Sequence, residues 1–504
     1  MRPYLAGLDL RSIGLFRIVA GLAMFLDVLV FKFPSFEHIY SRHGFFADVY
    51  AAQHRDGRPI YLNLFYDLGS DAAVRGWFAF VAAVYLLYAL GLWPRLLAPL
   101  SWLLFCVTRE SNSLLDFSTD LWLLSLMFWA LFLPQGARFS LFHRGLANGG
   151  ENELRSYPAF LMLASIALVY FTNGYAKLGG DWLTGEALHY FVAWPATRSW
   201  ASSWLLDQPR LLVLLEYGTI VWELIFPLLL FFPYFNQPLR WFAVVSVLAF
   251  HYGNLPFIFP GYYCVVATCI AAILLPSSFW ALLRREATSE PEQPSHDVAV
   301  EPQGSPRAVR YGRQAVLVLR NLLLTAIFLF ALALNLERLP VVLGLREKSW
   351  GVEAAATSWH ANSRRTWPQV DMLRFLLTFH TYYPAEIPEH HLNLLVFGLD
   401  ANGHDWNLVS GEPANEAYWG PSPDFQRPYF ALHRAAHFQP QAFIRFKIFE
   451  RWLEKLTDDW NRSHPDRPLV RSLLAMAELD GEDPENPVKN VVDLARWQSE
   501  DARR

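Results

Sequence analysis

The chain has 504 residues, 53% hydrophobic and 16% aromatic but only 17% charged. An ordinary soluble protein carries roughly 25% charged residues, so most of this chain is not built for water. The net charge is −4 with no basic block, which argues against a nucleic-acid partner. The three cysteines (Cys106, Cys264, Cys269) sit in apolar runs with no CxxC pair, which argues against a disulfide framework or a metal site and for simple packing. The mean hydropathy of +0.18 averages two unlike parts. Long apolar runs fill the first 283 residues, and charge and proline return from about Glu286.

The N-terminus does not read as a cleaved leader. Arg2 and Arg11 precede the run Ile13–Phe31, which is long enough to span and is followed by no small-residue cleavage site. About 20 mostly apolar residues cross a hydrocarbon core of roughly 30 Å. By that test the expected spans, in chain order, are Ile13–Phe31, Val74–Leu92, Leu96–Leu115, Leu121–Leu133, Pro158–Leu178, Leu211–Phe232, Trp241–Phe259, Tyr262–Leu283 and Ala315–Leu336, nine in all. The fold class that follows is an all-α polytopic membrane bundle carrying a small α+β extramembrane domain at its C-terminus. Arginines concentrate in the loops that are cytoplasmic if the N-terminus is inside, such as Arg95, Arg138, Arg144 and Arg240. With an odd number of spans, the C-terminal domain then lies outside, in a periplasm or lumen.

The membrane domain is expected over residues 10–285. The stretch Glu286–Pro306, rich in Pro, Glu and Ser, cannot bury a core and reads as part of a flexible cytoplasmic loop over 286–312. A final span over 313–339 leads into the soluble domain, 340–504. There His391–Ser410 suggests two strands around the turn signal Asn402-Gly403. Ala442–Asn461 has helical character, and Arg471–Asp480 adds a strand.

Ionisable groups inside spans cost a few kcal/mol on insertion scales, so each needs a partner or a job. Arg17 and Asp27 share the first span but are ten residues, or about 15 Å, apart, too far to pair with each other. Glu216 and Glu223 fall on one face of the sixth span, and His251 and Asn254 on one face of the seventh. Asp116 and Asp120 precede the fourth. Lys177 ends the fifth, in the stretch TNGYAKLGGDWLTG. A lysine at a helix end ordinarily snorkels to the interface, and Gly-Gly-Asp-Trp fits a helix stop with an aromatic anchor. Composition alone therefore gives a polar membrane core without a task.

Four segments add more. They are FRIVAGLAMFLD (Phe16–Asp27), VYFTNGYAKLGGDWLTG (Val169–Gly185), WELIFPLLLFF (Trp222–Phe232) and FHYGNLPFIFP (Phe250–Pro260). In this order they resemble the vitamin K-dependent γ-carboxylase family and its bacterial relatives, the HTTM-domain proteins. The Lys-Leu-x-x-Asp-Trp-x-x-Gly spacing followed by His-x-x-Asn is the more specific part. The resemblance implies that Lys177 is a catalytic base acting on reduced vitamin K or menaquinol. Oxygenation with O2 then yields a base strong enough to take a γ-proton from glutamate, and the carbanion captures CO2, with no metal involved. It further implies His251 as a second catalytic residue, with Asn254, Glu223, Arg17, Asp27, Asp120, Asp181 and Trp182 lining the pocket. An amine withdrawn from water has its charged form disfavoured, so a neutral base becomes available. A membrane site suits a lipid-soluble quinone and keeps a strong base from water.

Two features depart from the animal enzymes. Ala176 stands where they carry a second lysine, and Asp120 stands about where they carry a functional histidine. The tail is also much shorter than theirs. The expected partners are the lipid bilayer, the quinone and a Glu-containing peptide or protein. Two rival readings remain: quinol-coupled modification of another peptide or small molecule, and a non-catalytic membrane maturation or immunity partner.

Overall fold

The structure, a computed structural model, describes residues 7–47, 50–51, 60–110, 118–141, 152–178, 181–193, 199–258, 263–285, 307–336, 391–408, 411, 413–414, 447–479 and 488–499. Helix α1 (Leu10–Asp27) opens on Asp9, whose side chain accepts the Arg11 backbone N–H at 2.8 Å. Two π-helical turns follow at Val28–Lys32 and Phe36–Tyr40. Then come α2 (Ile60–Asp67), α3 (Asp71–Ala89), α4 (Pro94–Glu110), α5 (Ser118–Ala130) and α6 (Tyr157–Ala176). Three short helices, α7 (Asp181–Thr184), α8 (Ala187–Ala193) and α9 (Ser202–Leu206), lead to α10 (Pro209–Phe231) and α11 (Asn236–Gly253). The described bundle closes with α12 (Tyr263–Leu274), α13 (Ser277–Arg285) and α14 (Arg307–Leu336).

Among the described residues, four helical stretches are long and apolar enough to cross a membrane, Leu10–Lys32, Asp71–Ala89, Tyr157–Ala176 and Pro209–Phe231, and a bent pair would make a fifth. The expected eighth span, Tyr262–Leu283, is not one straight rod. It breaks between α12 and α13 with an 84° bend, because Pro276 has no N–H to continue the helix. The Leu275 carbonyl near the break accepts the Ser12 hydroxyl at 2.7 Å. The expected fourth and ninth spans appear as shorter apolar helices, Thr119–Ala130 and Gln314–Leu329. Arg109 falls inside the expected third span, and the helix at the expected seventh starts five residues earlier, at Asn236, and ends at Gly253, so its first turns carry Asn236, Gln237 and Arg240.

Close packing uses small residues. A Cβ on Gly21 would lie 2.8 Å from the Ala89 Cβ, so α1 and α3 touch nearly backbone to backbone. One end of the bundle gathers Leu8–Asp9 (β1), paired antiparallel with Glu153–Leu154 (β2), together with the turn at Gly91 and the stretch Gln135–Phe139. Helix α6 starts at that end and runs 20 residues, about 30 Å, to the other.

The tail holds a four-stranded antiparallel sheet in the order β4-β3-β5-β6: β3 (His391–Asp400), β4 (Asp405–Asn407), β5 (Leu469–Leu479) and β6 (Val488–Gln498). The expected hairpin is present, turning through Gly403 at φ +84°, and β5 is the expected third strand. The fourth strand, β6, was not expected. Helix α15 (Ile448–Ser463) covers the sheet with Phe449, Trp452, Leu453 and Trp460. Its other contacts are with the far end of the bundle, where Asp459 Oδ2 lies 2.9 Å from His38 Nε2 and Arg451 donates to the Gly44 carbonyl at 3.5 Å. The loop expected over Glu286–Pro306 lies outside the described residues.

Candidate active site

Two helices build the centre of the site. Gly174 lets α6 approach α10 so closely that a Cβ there would sit 2.8 Å from the Glu223 Cβ and 3.0 Å from the Leu224 nitrogen. That approach lets Lys177, the C-cap of α6, reach across the groove. Its Nζ donates to Glu223 Oε2 at 2.7 Å and to the Asn173 carbonyl at 3.3 Å. Both residues are buried, Lys177 at 3% exposure and Glu223 at 5%. The buried Trp182 ring closes the third side, with its centroid 5.1 Å from the amine. The lysine does not snorkel.

The sequence suggested an amine made neutral by desolvation alone. The structure supplies a carboxylate beside it. A buried ammonium–carboxylate pair has zero net charge whichever partner holds the proton, so moving that proton to Glu223 buries no new net charge. The arrangement places a buried carboxylate within hydrogen-bond reach of the amine, so a proton can pass between Lys177 and Glu223.

His251 belongs to an adjoining aromatic cluster. Its Nε2 shares a hydrogen bond with the Tyr170 hydroxyl at 3.2 Å, and its ring lies parallel to Tyr263 within 7°. Trp122 of α5 meets the rings of Tyr170, His251 and Tyr263 edge-on. Tyr170 also packs on Trp222 and Phe226, with ring centroids 4.9 and 4.3 Å away. Because Tyr170 lies two turns before Lys177 on α6, and Trp222 and Phe226 flank Glu223 on α10, the histidine cluster and the ion pair adjoin. Among the described residues, the buried indole nitrogens of Trp122 and Trp222 have no hydrogen-bond partner.

The other expected residues divide. Trp182 is at the amine. Asp181 opens α7, and Asp120 is half-buried in the first turn of α5, two residues before Trp122. Asn254 caps α11, and its carbonyl accepts the N–H groups of Phe257 and Ile258 at 2.9 and 2.7 Å, so it shapes the turn after His251.

Arg17 and Asp27 are not brought to the lysine. Arg17, fully buried, donates to the Gln135 carbonyl at 2.7 Å and to the carbonyls of Arg138 and Phe139, at the opposite end of the bundle. These carbonyls lie in the turns after α5, where no helix or strand ladder supplies donors, and one guanidinium satisfies several at once. Asp27 pairs with Lys32, one and a half turns further along its own helical stretch. Glu216 faces the same side of α10 as Glu223 but accepts the Leu188 backbone N–H at 3.0 Å.

Tyr170, Asn173, Trp122, Trp222 and Tyr263 were not singled out in the sequence. A signal existed for two of them, since positions 170, 173 and 177 form one helical stripe ending on the lysine. Among the described residues, no group of three or more His, Cys, Asp or Glu side chains is placed to hold a metal. Comparisons with family models, with curated proteins and with solved structures give no match.

Proposed function

We propose that this chain is a membrane-embedded enzyme of the vitamin K-dependent γ-carboxylase type, in which Lys177 is the base and Glu223 its proton acceptor. The observation that carries the reading is the amine itself: 3% exposed, 2.7 Å from a buried carboxylate, and at the position the family motif assigns to the base. A reduced vitamin K or menaquinol, oxygenated by O2, supplies the strong base that no side chain can, and CO2 is the second co-substrate. The residues present suit such a group. The buried indole N–H groups of Trp122 and Trp222 have no acceptor among the described residues, and a quinol oxygen would supply one within the aromatic cluster of Tyr170, Phe226 and Phe250. Tyr170 and His251 form a hydrogen-bonded pair that orients a ligand oxygen and relays a proton along the cluster.

In this reading α4, α5, α11, the bent pair and α14 complete nine spans. The N-terminus is cytoplasmic, and the ion pair and the tail share the outer side.

The test uses purified protein in nanodiscs with reduced vitamin K, O2, radiolabelled bicarbonate and a Glu-containing peptide. Epoxide and labelled peptide together support the reading. Epoxide without label redirects it to another acceptor. Neither product leaves Lys177–Glu223 as a structural ion pair in a non-catalytic membrane protein.

A further inference from the structure

A carboxyl buried within a spanning helix needs a task. Glu216 of α10, two turns before Glu223, is fully buried, and its Oε2 accepts the Leu188 backbone N–H at 3.0 Å. Leu188 is the second residue of α8, where a helix start leaves N–H groups without intrahelical acceptors, so α10 caps α8 from the side. Two more ties lie beside it. The Tyr217 hydroxyl donates to the Leu183 carbonyl of α7 at 2.6 Å. Gly185 turns the chain between α7 and α8 at φ +88°, and a Cβ there would lie 2.9 Å from Val213 Cγ2. Positions 213, 216, 217 and 220 form one face of α10, and Ile220 closes the row by packing with Trp182 and Ala187. The corner held in this way carries Trp182, whose ring centroid is 5.1 Å from the Lys177 amine. Its other side, at Leu183, Thr184, Glu186 and His189, is exposed, so the corner is a single layer of chain over the amine.

We propose that Glu216 is a positioning residue, whose hydrogen bond to Leu188 holds Trp182 over Lys177 and keeps water from the amine. A buried carboxyl that caps a helix is ordinarily part of the fold and no more. Here the capped pieces, α7 and α8, are four and seven residues long. Helices so short do not hold themselves, so their place is set by what they are tied to. The apolar contacts of Val213 and Ile220 are non-directional and allow the corner to slide or tilt. The two hydrogen bonds are directional, and the one at Glu216 ends on a fully buried side chain, whereas Tyr217 is exposed and its bond competes with water. Glu216 therefore sets where the corner sits along α10. The task needs an oxygen acceptor rather than a charge, so glutamine can perform it and leucine cannot. What the cap protects rests on Lys177 being the base; the cap itself rests on the contacts alone.

The test needs neither quinol nor O2. Full-length protein in nanodiscs is treated with the water-soluble amine reagent N-hydroxysulfosuccinimidyl acetate, and acetylation of Lys177 is followed by mass spectrometry against that of the exposed Lys447. Glu216→Leu is expected to raise the Lys177 rate at least about tenfold, and Glu216→Gln to leave it within about twofold of wild type. Amide hydrogen exchange of the wild type needs no variant, and there the Leu188 N–H is expected to exchange at least about a hundredfold more slowly than a free peptide amide. A merely structural carboxyl lowers the yield of folded protein but leaves Lys177 shielded in what folds. Labelling of Glu216→Leu within twofold of wild type therefore overturns the proposal. So does a glutamine variant as reactive as the leucine one, or a Leu188 N–H that exchanges at the free-peptide rate. A wild type that forms no epoxide but shows this labelling pattern overturns the enzymatic reading and leaves the cap standing. Epoxide from a wild type whose Lys177 labelling is unmoved by Glu216→Leu overturns the cap alone.

Discussion

Replacing Lys177 by Met removes the ammonium and leaves the Glu223 carboxylate 5% exposed among Tyr170, Trp222 and Phe226. At 2.7 Å and an effective dielectric of about 20, the lost attraction is about 6 kcal/mol before desolvation is set against it. Removing one partner of such a buried pair costs about 3–5 kcal/mol, because the other charge stays buried and uncompensated. Glu223→Met strands the lysine in the same way and costs a similar amount. The double variant strands nothing, and two methionines fill comparable volume, so it stays near wild type. The cycle is read from unfolding free energies in mixed micelles, and the expected coupling is at least about 3 kcal/mol. Additive single effects, with coupling under about 0.5 kcal/mol, would show that the two side chains do not share a proton or a charge and refute the site as drawn.

Gly174→Ala forces α6 and α10 apart, since the neighbour is Glu223 Cβ at 2.8 Å and backbone behind it, and is expected to destabilise by about 1–3 kcal/mol in the same assay. Gly218→Ala on α10 meets nothing within 4 Å and is the control, neutral or slightly stabilising. Arg17→Met leaves the carbonyls of Gln135 and Phe139 without their donor and should cost about 2–4 kcal/mol, while the activity of each folded molecule is unchanged. In the tail, burial raises Asp400, but the backbone N–H of His404, the Trp406 indole and the Asn402 N–H outweigh it and hold the carboxyl below its ordinary range. A depressed carboxyl stabilises above its unfolded value of about 4 and loses that contribution as pH falls through the folded one. Asp400→Ala should therefore weaken the tail by about 2–3 kcal/mol at neutral pH. Tryptophan emission from Trp406 and Trp460 should report the deficit shrinking toward nothing in strong acid; a deficit independent of pH would contradict the hydrogen-bond account.

The helices were legible because apolar runs of membrane length have few other uses, and the hairpin at Gly403 because a left-handed turn demands glycine. Lys177, Glu223 and His251 were legible as odd residues in such runs, yet their partners were not. The Lys177–Glu223 contact joins positions 46 residues apart, and nothing in either helix's own periodicity says which faces meet. Its one local mark is Gly174, which reads as tolerance until the close approach to α10 gives it a reason. Arg17 was misplaced for the opposite cause. A buried arginine suggests a carboxylate partner, whereas here backbone carbonyls in the turns after α5 serve, and carbonyls leave no trace in a sequence. The bend at Pro276 was lost because the apolar run continues through it. Strand β6 was missed because Lys489, Asn490, Asp493 and Arg496 break up its alternation.

The most direct measurement is chromatographic detection of quinone epoxide formed by wild-type protein and by Lys177→Ala, at equal folded concentration in nanodiscs with reduced vitamin K and O2. Product from the wild type and at least a hundredfold less from the variant is the predicted result. Product from the variant within twofold of wild type would contradict it and remove the lysine from the chemistry.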